Sequence, residues 1–190
     1  RRRVHQLRQN CDAVAVGIGT VLQDDPQLTA RDEQGNLLES QPLRVIIDSQ
    51  GRVPTDAQMF RAPGRTLVAV AGISSEREDA LCQIGAEVLV VPGEDGQVDL
   101  EALAQALGAQ EVTSLLVEGG GTLLASLFHV GLVDKVIAFL APTIIAGREA
   151  PTPVEGTGIP HLKDSLRLER VSVDQVGEDM LIIGYPRKGV

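Results

Sequence analysis

The sequence predicts an α/β fold: a mixed, mainly parallel sheet flanked by helices, with an antiparallel hairpin near the carboxyl terminus. Short apolar runs rich in β-branched residues alternate with helical patterns through the middle of the chain, an order typical of parallel strands joined by right-handed crossovers. The last part instead holds two alternating strand patterns separated by a short polar turn. A chain of 190 residues can bury about 70% of its unfolded surface without disulfides or metals.

The amino-terminal part is predicted to contain a helix, a strand and a long loop. Residues 4–7 place two apolar side chains on one face of a short helix, and residues 13–16 form an apolar run that indicates a buried strand. The sequence G-I-G-T then ends this strand, and D-D-P at residues 24–26 stops the turn that follows. Residues 31–42 are polar and are predicted to form a surface loop.

Strands and helices alternate in the middle of the chain. The predicted strands are residues 44–48, 66–71, 87–91, 112–117 and 135–140. The predicted helices run from Ser75 to the glycine at 85, over residues 99–107 to Gly108, and over residues 122–130 to Gly131. Glu78 lies at capping-box spacing from Ser75, which favours a helix start there.

The tail departs from this alternation. Residues 142–160 form a loop rich in proline and glycine, and residues 165–176 and 180–185 then alternate as strands joined at residues 177–179. Such a hairpin added to parallel strands gives a mixed sheet.

Composition excludes several classes of protein. Cys11 and Cys82 lie far apart with no second ligand nearby, so we expect no metal site and no disulfide framework, and both are predicted to be small core residues. The net charge of −9 and the scarcity of aromatic residues disfavour nucleic-acid binding. No apolar run is long enough to span a membrane, so we expect a cytoplasmic protein with no membrane contact. The basic residues 1–3 are interpreted as a solvated helix end.

The sequence S-L-L-V-E-G-G-G-T-L-L at residues 114–124 is the most informative segment. An apolar strand ends in Glu118, and three glycines lead into a helix. Consecutive glycines let a backbone approach a ligand closely, and the N–H groups that open a helix favour an anion. The segment indicates a phosphate or nucleotide site, although a tight turn without a ligand also fits the same residues.

A second candidate segment follows the first strand. Residues 17–31, G-I-G-T-V-L-Q-D-D-P-Q-L-T-A-R, collect polar side chains in one excursion, and loops of this kind on rigid scaffolds commonly form sites. A structural interpretation is equally consistent with these residues, because Asp24 or Asp25 can cap the turn before Pro26 and Arg31 can be a solvated surface residue.

Together the motifs resemble a known family. T-V-L-Q-D-D-P-Q-L-T-A-R at residues 20–31, R-V-I-I-D-S at 44–49, V-E-G-G-G-T-L at 117–123 and G-L-V-D-K at 131–135 are similar to the reductase domain of the bacterial bifunctional riboflavin-biosynthesis deaminase-reductase. The resemblance covers nearly the whole chain in the family's order. It implies a dihydrofolate-reductase-like fold and a single reductase domain over residues 1–190.

The resemblance also implies a reaction and a set of site residues. The reaction is NADPH-dependent reduction of 5-amino-6-(5-phosphoribosylamino)uracil, in which the ribose opens and C1′ receives a hydride. The implied cofactor contacts are Thr20, Asp24, Ser49, Gly120, Gly121, Thr122, Leu123, Leu124, Ala125 and Ser126. The implied substrate contacts are Arg8, Leu28, Arg31 and Glu118.

Chemistry suggests roles for some of these residues. Arg8 and Arg31 suit phosphate, because guanidinium groups bind phosphate bidentately and keep their charge. Glu118 can accept hydrogen bonds from the pyrimidine or the sugar hydroxyls. Asp24 is the catalytic candidate, for moving a proton during ring opening or imine protonation.

Other polar residues carry weaker signals. His5, His129 and His161 lie in no motif and are predicted to have surface or helix-packing roles. Asp48 is predicted to cap the turn after its strand. Arg52 fits either contact with the 2′-phosphate of NADPH or a plain loop position.

Two departures from the family pattern leave alternatives open. An earlier strand and its loop are expected to be missing before Arg1, and no deaminase zinc motif occurs, so deamination is not assigned to this chain. The family implies a homodimer. The alternatives are another dihydrofolate-reductase-like reductase of a pyrimidine or pterin, and a nucleotide-binding or dimerisation module without turnover.

Overall fold

The computed structural model describes residues 2–147, 150 and 152–187, and the chain divides into two compact units, Arg1–Leu123 and Leu124–Val190. The first unit contains a five-stranded sheet with the order β4-β3-β2-β1-β5. Its strands are β1 Ala13–Gly17, β2 Leu43–Ile47, β3 Thr66–Val70, β4 Glu87–Val90 and β5 Leu115–Val117. All four neighbouring pairs are parallel, as the alternating sequence pattern predicted.

Six α-helices accompany the strands in the described residues. They are α1 Arg2–Gln9, α2 Ile18–Asp24, α3 Gln58–Arg61, α4 Ser75–Gln83, α5 Leu100–Ala109 and α6 Gly121–His129. Helices α2 and α3 were not predicted. The sequence G-I-G-T was predicted to end a strand and start a turn. In the structure, Ile18 and Val21 are buried on one face of α2. This burial outweighs the low helix propensity of glycine.

Two predicted helix ends require correction. The amino-terminal cap of α4 is Ser74, whose hydroxyl accepts a hydrogen bond from the Arg77 N–H, so the capping box predicted between Ser75 and Glu78 does not form. Helix α5 continues through Gly108 and ends at Ala109, while Asp99 caps its start by accepting hydrogen bonds from two backbone N–H groups.

The parallel sheet is covered on both faces. Val14, Val16 and Ile46 point to a core that includes Leu81 of α4, and the alternate residues Ala15 and Val45 point to a second core. The second core includes the apolar side of α5. Burial on both faces explains why the strand sequences are continuous apolar runs.

The second unit contains an antiparallel sheet. Strands β6 Val136–Leu140, β7 Leu168–Val176 and β8 Asp179–Pro186 have the order β6-β8-β7. The predicted hairpin is therefore confirmed, but β6, which was predicted to pair in parallel, pairs with β8 in antiparallel fashion. The predicted loop at 142–160 includes residues 148, 149 and 151, which lie outside the described residues.

Two further observations concern composition. Cys82 is exposed and Cys11 is half-buried, so the prediction that both cysteines are core residues is wrong for Cys82. Within the described ranges, none of the helices combines the length and the apolar character that crossing a bilayer requires.

Candidate active site

The order of the parallel strands changes direction beside β1. Strands β2, β3 and β4 extend from one side of β1, whereas β5 pairs with its other side. The strand order thus reverses between β1 and β5, and open α/β sheets bind ligands outside the carboxyl ends of the strands at such a point. The Glu118 N–H donates to the Ala15 carbonyl over 2.9 Å, which joins the two strands where the candidate segments begin.

Glycines line this end of the sheet. Gly119 and Gly120 have φ values of 84° and 81°, a backbone conformation that disfavours residues with a Cβ atom. A Cβ on Gly120 would lie 3.5 Å from the Thr20 hydroxyl oxygen and 3.8 Å from the Gly17 nitrogen. The glycine loop therefore lies against the start of α2.

The segment predicted to hold the cofactor forms the start of α6. Gly121 is its first residue, and Thr122 and Ser126 are exposed. Leu123 is buried, and its Cβ is 3.6 Å from the position of a Cβ on Gly17, so its side chain packs below the glycine loop. Leu124 and Ala125 are half-buried. A glycine turn before a helix start suits the pyrophosphate of a nicotinamide nucleotide.

Arg8 and Glu118 form a bidentate ion pair at the same edge. The Arg8 Nε and Nη2 atoms donate to Glu118 Oε1 and Oε2, each over 2.6 Å. The two side chains are 13% and 19% exposed, so the pair is partly shielded from water. Both residues were predicted to contact substrate, and the structure places them in contact with each other.

Arg31 and Arg8 both donate hydrogen bonds to Thr29. Arg8 Nη1 donates to the Thr29 carbonyl over 3.0 Å, and Arg31 Nε donates to the Thr29 hydroxyl over 3.2 Å. His5 Nδ1 lies 3.1 Å from the Thr29 carbonyl oxygen. The two predicted phosphate-binding arginines are thus joined through one buried residue.

The loop before Thr29 is strained. Asp25 and Leu28 have φ values of 42° and 53°, although neither is glycine. Asp25 Oδ1 accepts a hydrogen bond from the Gln58 N–H, and the Leu28 side chain is 2% exposed within the core. The Leu28 side chain is therefore not free to contact a ligand in this structure. Strained non-glycine residues are concentrated at functional sites.

The other predicted residues lie at neighbouring strand and helix ends. Asp24 is the last residue of α2 and is exposed. Ser49 follows β2, and its hydroxyl donates to Gln97 Oε1 and accepts from the Val98 N–H. Asp48 Oδ2 accepts from the Val53 N–H over 2.8 Å, which confirms its predicted role in the turn.

The structure also reveals residues that the sequence did not single out. Thr29 stood within the second candidate segment but was given no role, and Gly17 was regarded only as a strand end. The signal for Thr29 is its position in L-T-A-R, between two predicted substrate contacts. Gly17 has no comparable signal in the sequence, because its proximity to the glycine loop follows from the pairing of β1 with β5.

The structure defines an α/β domain whose candidate site lies at a switch point between parallel strands. The chain belongs to the RibD C-terminal domain family, which it matches over residues 1–182. The predicted family and the predicted fold class are thereby confirmed.

Individual relatives agree with this membership. The chain is 35% identical over 184 residues to riboflavin biosynthesis protein RibD of Actinobacillus pleuropneumoniae, covering 96% of this chain and 48% of that protein. It is 39% identical over 188 residues to a 2,5-diamino-6-ribosylamino-4(3H)-pyrimidinone 5′-phosphate reductase of Methanothermobacter thermautotrophicus, covering 99% of this chain and 85% of that one. The chain thus spans about half of the first relative and most of the second.

A solved structure shows the same fold. RibD of Acinetobacter baumannii is similar with a TM-score of 0.83 at 29% identity, over 98% of this chain and 50% of that one. The match extends over both compact units, including the antiparallel strands.

Proposed function

We propose that this protein is an NADPH-dependent reductase that converts 5-amino-6-(5-phosphoribosylamino)uracil to its ribitylamino product in riboflavin biosynthesis. The observation that carries the proposal is the joint position of the glycine loop and of the Arg8–Glu118–Thr29–Arg31 cluster, which both belong to the β1–β5 end of the sheet. A nucleotide and an anionic sugar need these two kinds of surface side by side. Relatives named as reductases of this pathway support the assignment.

The cofactor would lie along the glycine loop and the start of α6. Gly120 to Ser126 would hold the pyrophosphate through backbone N–H groups, and Thr20 would place its hydroxyl beside Gly120. Ser49 would contact the cofactor from the end of β2. Bound NADPH supplies the hydride, so the protein has to align, shield and neutralise charge rather than perform redox chemistry itself.

The substrate would lie against the arginines and Glu118. Arg31 makes no ion pair within the described part of the chain, and its charge suits a phosphate. Each Glu118 oxygen accepts one hydrogen bond from Arg8 and retains a further lone pair for a substrate hydroxyl or N–H. Leu28 would contribute its backbone.

Asp24 is the proposed proton-transfer group. Reduction adds a hydride to C1′ and a proton to the attached nitrogen; the proton comes from water, so a group that relays it to the nitrogen is required. Within the described residues its carboxylate makes no hydrogen bond or ion pair, which leaves it available. Asp24→Asn should lower kcat while NADPH still binds; full turnover by this variant would remove the role.

A second substrate deserves a direct comparison. Two archaeal relatives, 39% and 41% identical over most of their lengths, are named for a diaminopyrimidinone rather than for a uracil. Both compounds carry the same ribosylamino 5′-phosphate and differ in the substituent on the pyrimidine ring. The arginine cluster recognises the shared part, so ring discrimination has to be measured.

The test is NADPH oxidation by the purified protein with each substrate in turn. Substrate-dependent loss of NADPH absorbance supports the proposal, and the ratio of the two kcat/KM values decides the ring. A folded protein that binds NADPH but oxidises it with neither compound would favour a nucleotide-binding module. Turnover of a dephosphorylated pyrimidine or a pterin at equal efficiency would favour a different reductase.

We also propose a homodimer formed through the second unit. One face of its sheet carries Leu140, Met180 and Val173, which are exposed by 51%, 45% and 59%. Contiguous exposed apolar side chains on a sheet indicate an interface. Light scattering should give twice the mass of the chain, and Val173→Glu should shift the measured mass to that of the monomer.

The cytoplasmic location remains a prediction.

A further inference from the structure

Thr29 is a buried polar residue whose two oxygens serve two different arginines. It is 1% exposed, its carbonyl accepts from Arg8, and its hydroxyl accepts from Arg31. The preceding residue, Leu28, has a φ of 53°, so the chain turns sharply just before this point. The surrounding core holds Leu28 in this strained conformation. The backbone therefore has a fixed direction at Thr29, and so does the Thr29 carbonyl.

The charges of the two arginines are balanced differently. Arg8 faces both oxygens of Glu118, so its charge is neutralised inside the protein. Arg31 donates instead to three neutral acceptors, which are the Thr29 hydroxyl, the Gly35 carbonyl and Gln27 Oε1. Arg31 is therefore the cation whose charge remains for a ligand.

The N–H donors of Arg31 that make no hydrogen bond within the protein are also placed to bind a phosphate. A guanidinium has five N–H groups, one on Nε and two on each terminal nitrogen. The three bonds use the Nε donor and one donor on each terminal nitrogen, which leaves one N–H on each of the two terminal atoms. Two donors on adjacent nitrogens match two oxygens of a phosphate.

We propose that Thr29 is a positioning residue that orients Arg31 as the phosphate-binding cation of the site. The inference deepens the proposed function and rests on it for the identity of the phosphate ester. The Thr29 hydroxyl fixes the Nε side of the guanidinium, so its terminal nitrogens face the ligand. Its carbonyl holds Arg8 against Glu118 at the same time, and this contact is independent of the side chain.

The experiment compares Thr29→Val with Thr29→Ser. Valine keeps the shape and removes the hydroxyl, whereas serine keeps the hydroxyl. Ribose 5-phosphate is the binding probe, and turnover is measured with the phosphorylated substrate and its dephosphorylated analogue. A hydrogen bond to a charged group corresponds to about tenfold in affinity. Thr29→Val should therefore weaken ribose 5-phosphate binding and raise KM for the phosphorylated substrate about tenfold, with kcat within about twofold, and Thr29→Ser should restore both.

A measurement on the unaltered protein guards against a variant that fails to fold. The Nε–H proton of Arg31 should be protected from exchange with water in the NMR spectrum, and its signal should shift when ribose 5-phosphate is added. Rapid exchange of this proton, or no binding of ribose 5-phosphate, would overturn the inference. Equal losses for the phosphorylated and dephosphorylated substrates would also overturn it, since they would indicate a general structural effect.

Failure of the proposed function gives a different pattern. If NADPH is not oxidised but ribose 5-phosphate binds, with the predicted loss in Thr29→Val and recovery in Thr29→Ser, then the positioning role stands and the reductase assignment falls. If NADPH is oxidised but Thr29→Val behaves as the unaltered protein, the positioning role falls and the reductase assignment stands.

Discussion

The two edges of the parallel sheet use charged side chains in opposite ways. At the edge where the strands begin, Asp12 Oδ2 accepts four hydrogen bonds, from the N–H and hydroxyl groups of Thr113 and Ser114. Arg44 is 1% exposed, and its guanidinium donates to a threonine hydroxyl and to carbonyls of residues 62–64. Four of the five Arg44 donors, and the Oδ2 atom of Asp12, are thus bonded within the protein itself.

At the edge where the strands end, bonding capacity remains. Arg31 keeps two donors, and the buried Asp48 Oδ1 accepts no hydrogen bond from the described residues, although Arg52 Nε lies 3.8 Å from it. Leu28 adopts a φ of 53° at this edge, and Gly119 and Gly120 also have positive φ values. One edge thus uses its charged groups to stabilise the sheet, and the other is the edge where we propose that a ligand binds, so substitutions at the two edges should affect different properties.

Arg44→Met should produce the largest effect, and on stability alone. The variant leaves several buried carbonyls without their donor, and we expect a loss of about 3 kcal/mol in the free energy of unfolding. Urea unfolding measures the loss, and kcat per folded molecule should stay unchanged. A loss below about 1 kcal/mol, or a fall in kcat with stability intact, would break the distinction between the edges.

Glu118→Gln should produce the largest effect on activity. It removes the charge that neutralises Arg8 and one partner of a shielded pair, and we expect kcat/KM to fall about a hundredfold. The matched control is Glu87→Gln at the other edge. Glu87 forms a similar bidentate pair with Arg65 at 2.8 Å and 2.9 Å, but those side chains are 42% and 61% exposed.

The control should change little. Hydrogen bonding and charge from Arg65 lower the pKa of Glu87, yet water screens exposed pairs, so Glu87→Gln should cost at most about 1 kcal/mol of stability. Activity should stay within about twofold of the unaltered protein. Equal losses of kcat/KM in Glu118→Gln and Glu87→Gln would show that activity depends on having a bidentate ion pair and not on the edge of the sheet where the pair lies.

Much of the fold could be predicted from the sequence because local pattern and burial agree. Strands β1, β2 and β3 are buried on both faces, so they appear as mostly apolar runs, and the predicted ends of β2 and β3 lie within one residue of those observed. Helix α2 was not predicted, because the glycines at its start indicate a turn. Its stability comes from burial of Ile18 and Val21 in the core. Tertiary burial of this kind has no local signal.

The candidate site shows the same limit. The glycine turn and the polar loop could be recognised because each lies in one short segment. The contact between Arg8 and Glu118 could not, since the two residues are 110 positions apart and meet only because β5 pairs with β1. The roles of Thr20, Ser49 and Asp24 in binding or proton transfer stay predictions that the experiments above test.

Gly120→Ala should have an effect of intermediate size, and it tests whether the glycine loop belongs to the cofactor site. Alanine at a φ of 81° costs about 1 kcal/mol or more, and its methyl group would also lie 3.5 Å from the Thr20 hydroxyl. The control is Gly177→Ala, with a φ of 65° and no atom within 4 Å of the added Cβ. Both variants should lose similar stability, but only Gly120→Ala should raise KM for NADPH, by about tenfold. A similar rise in Gly177→Ala would remove the glycine loop from the cofactor site.

Asp12→Asn should have the smallest effect, and one that depends on pH. Hydrogen bonds from Thr113, first through its hydroxyl, and from Ser114 lower the pKa of Asp12 from 3.8 to about 2. Because the pKa in the folded protein lies below the unfolded value, the ionised carboxylate stabilises the fold fully above about pH 4, and this contribution disappears as the pH falls to about 2. Urea unfolding of both proteins between pH 6 and 2 measures the difference, which should shrink over that window. A difference that stays constant with pH would mean that the carboxylate acts through shape rather than charge, and a loss of kcat at neutral pH would extend the functional site to the edge where the strands begin.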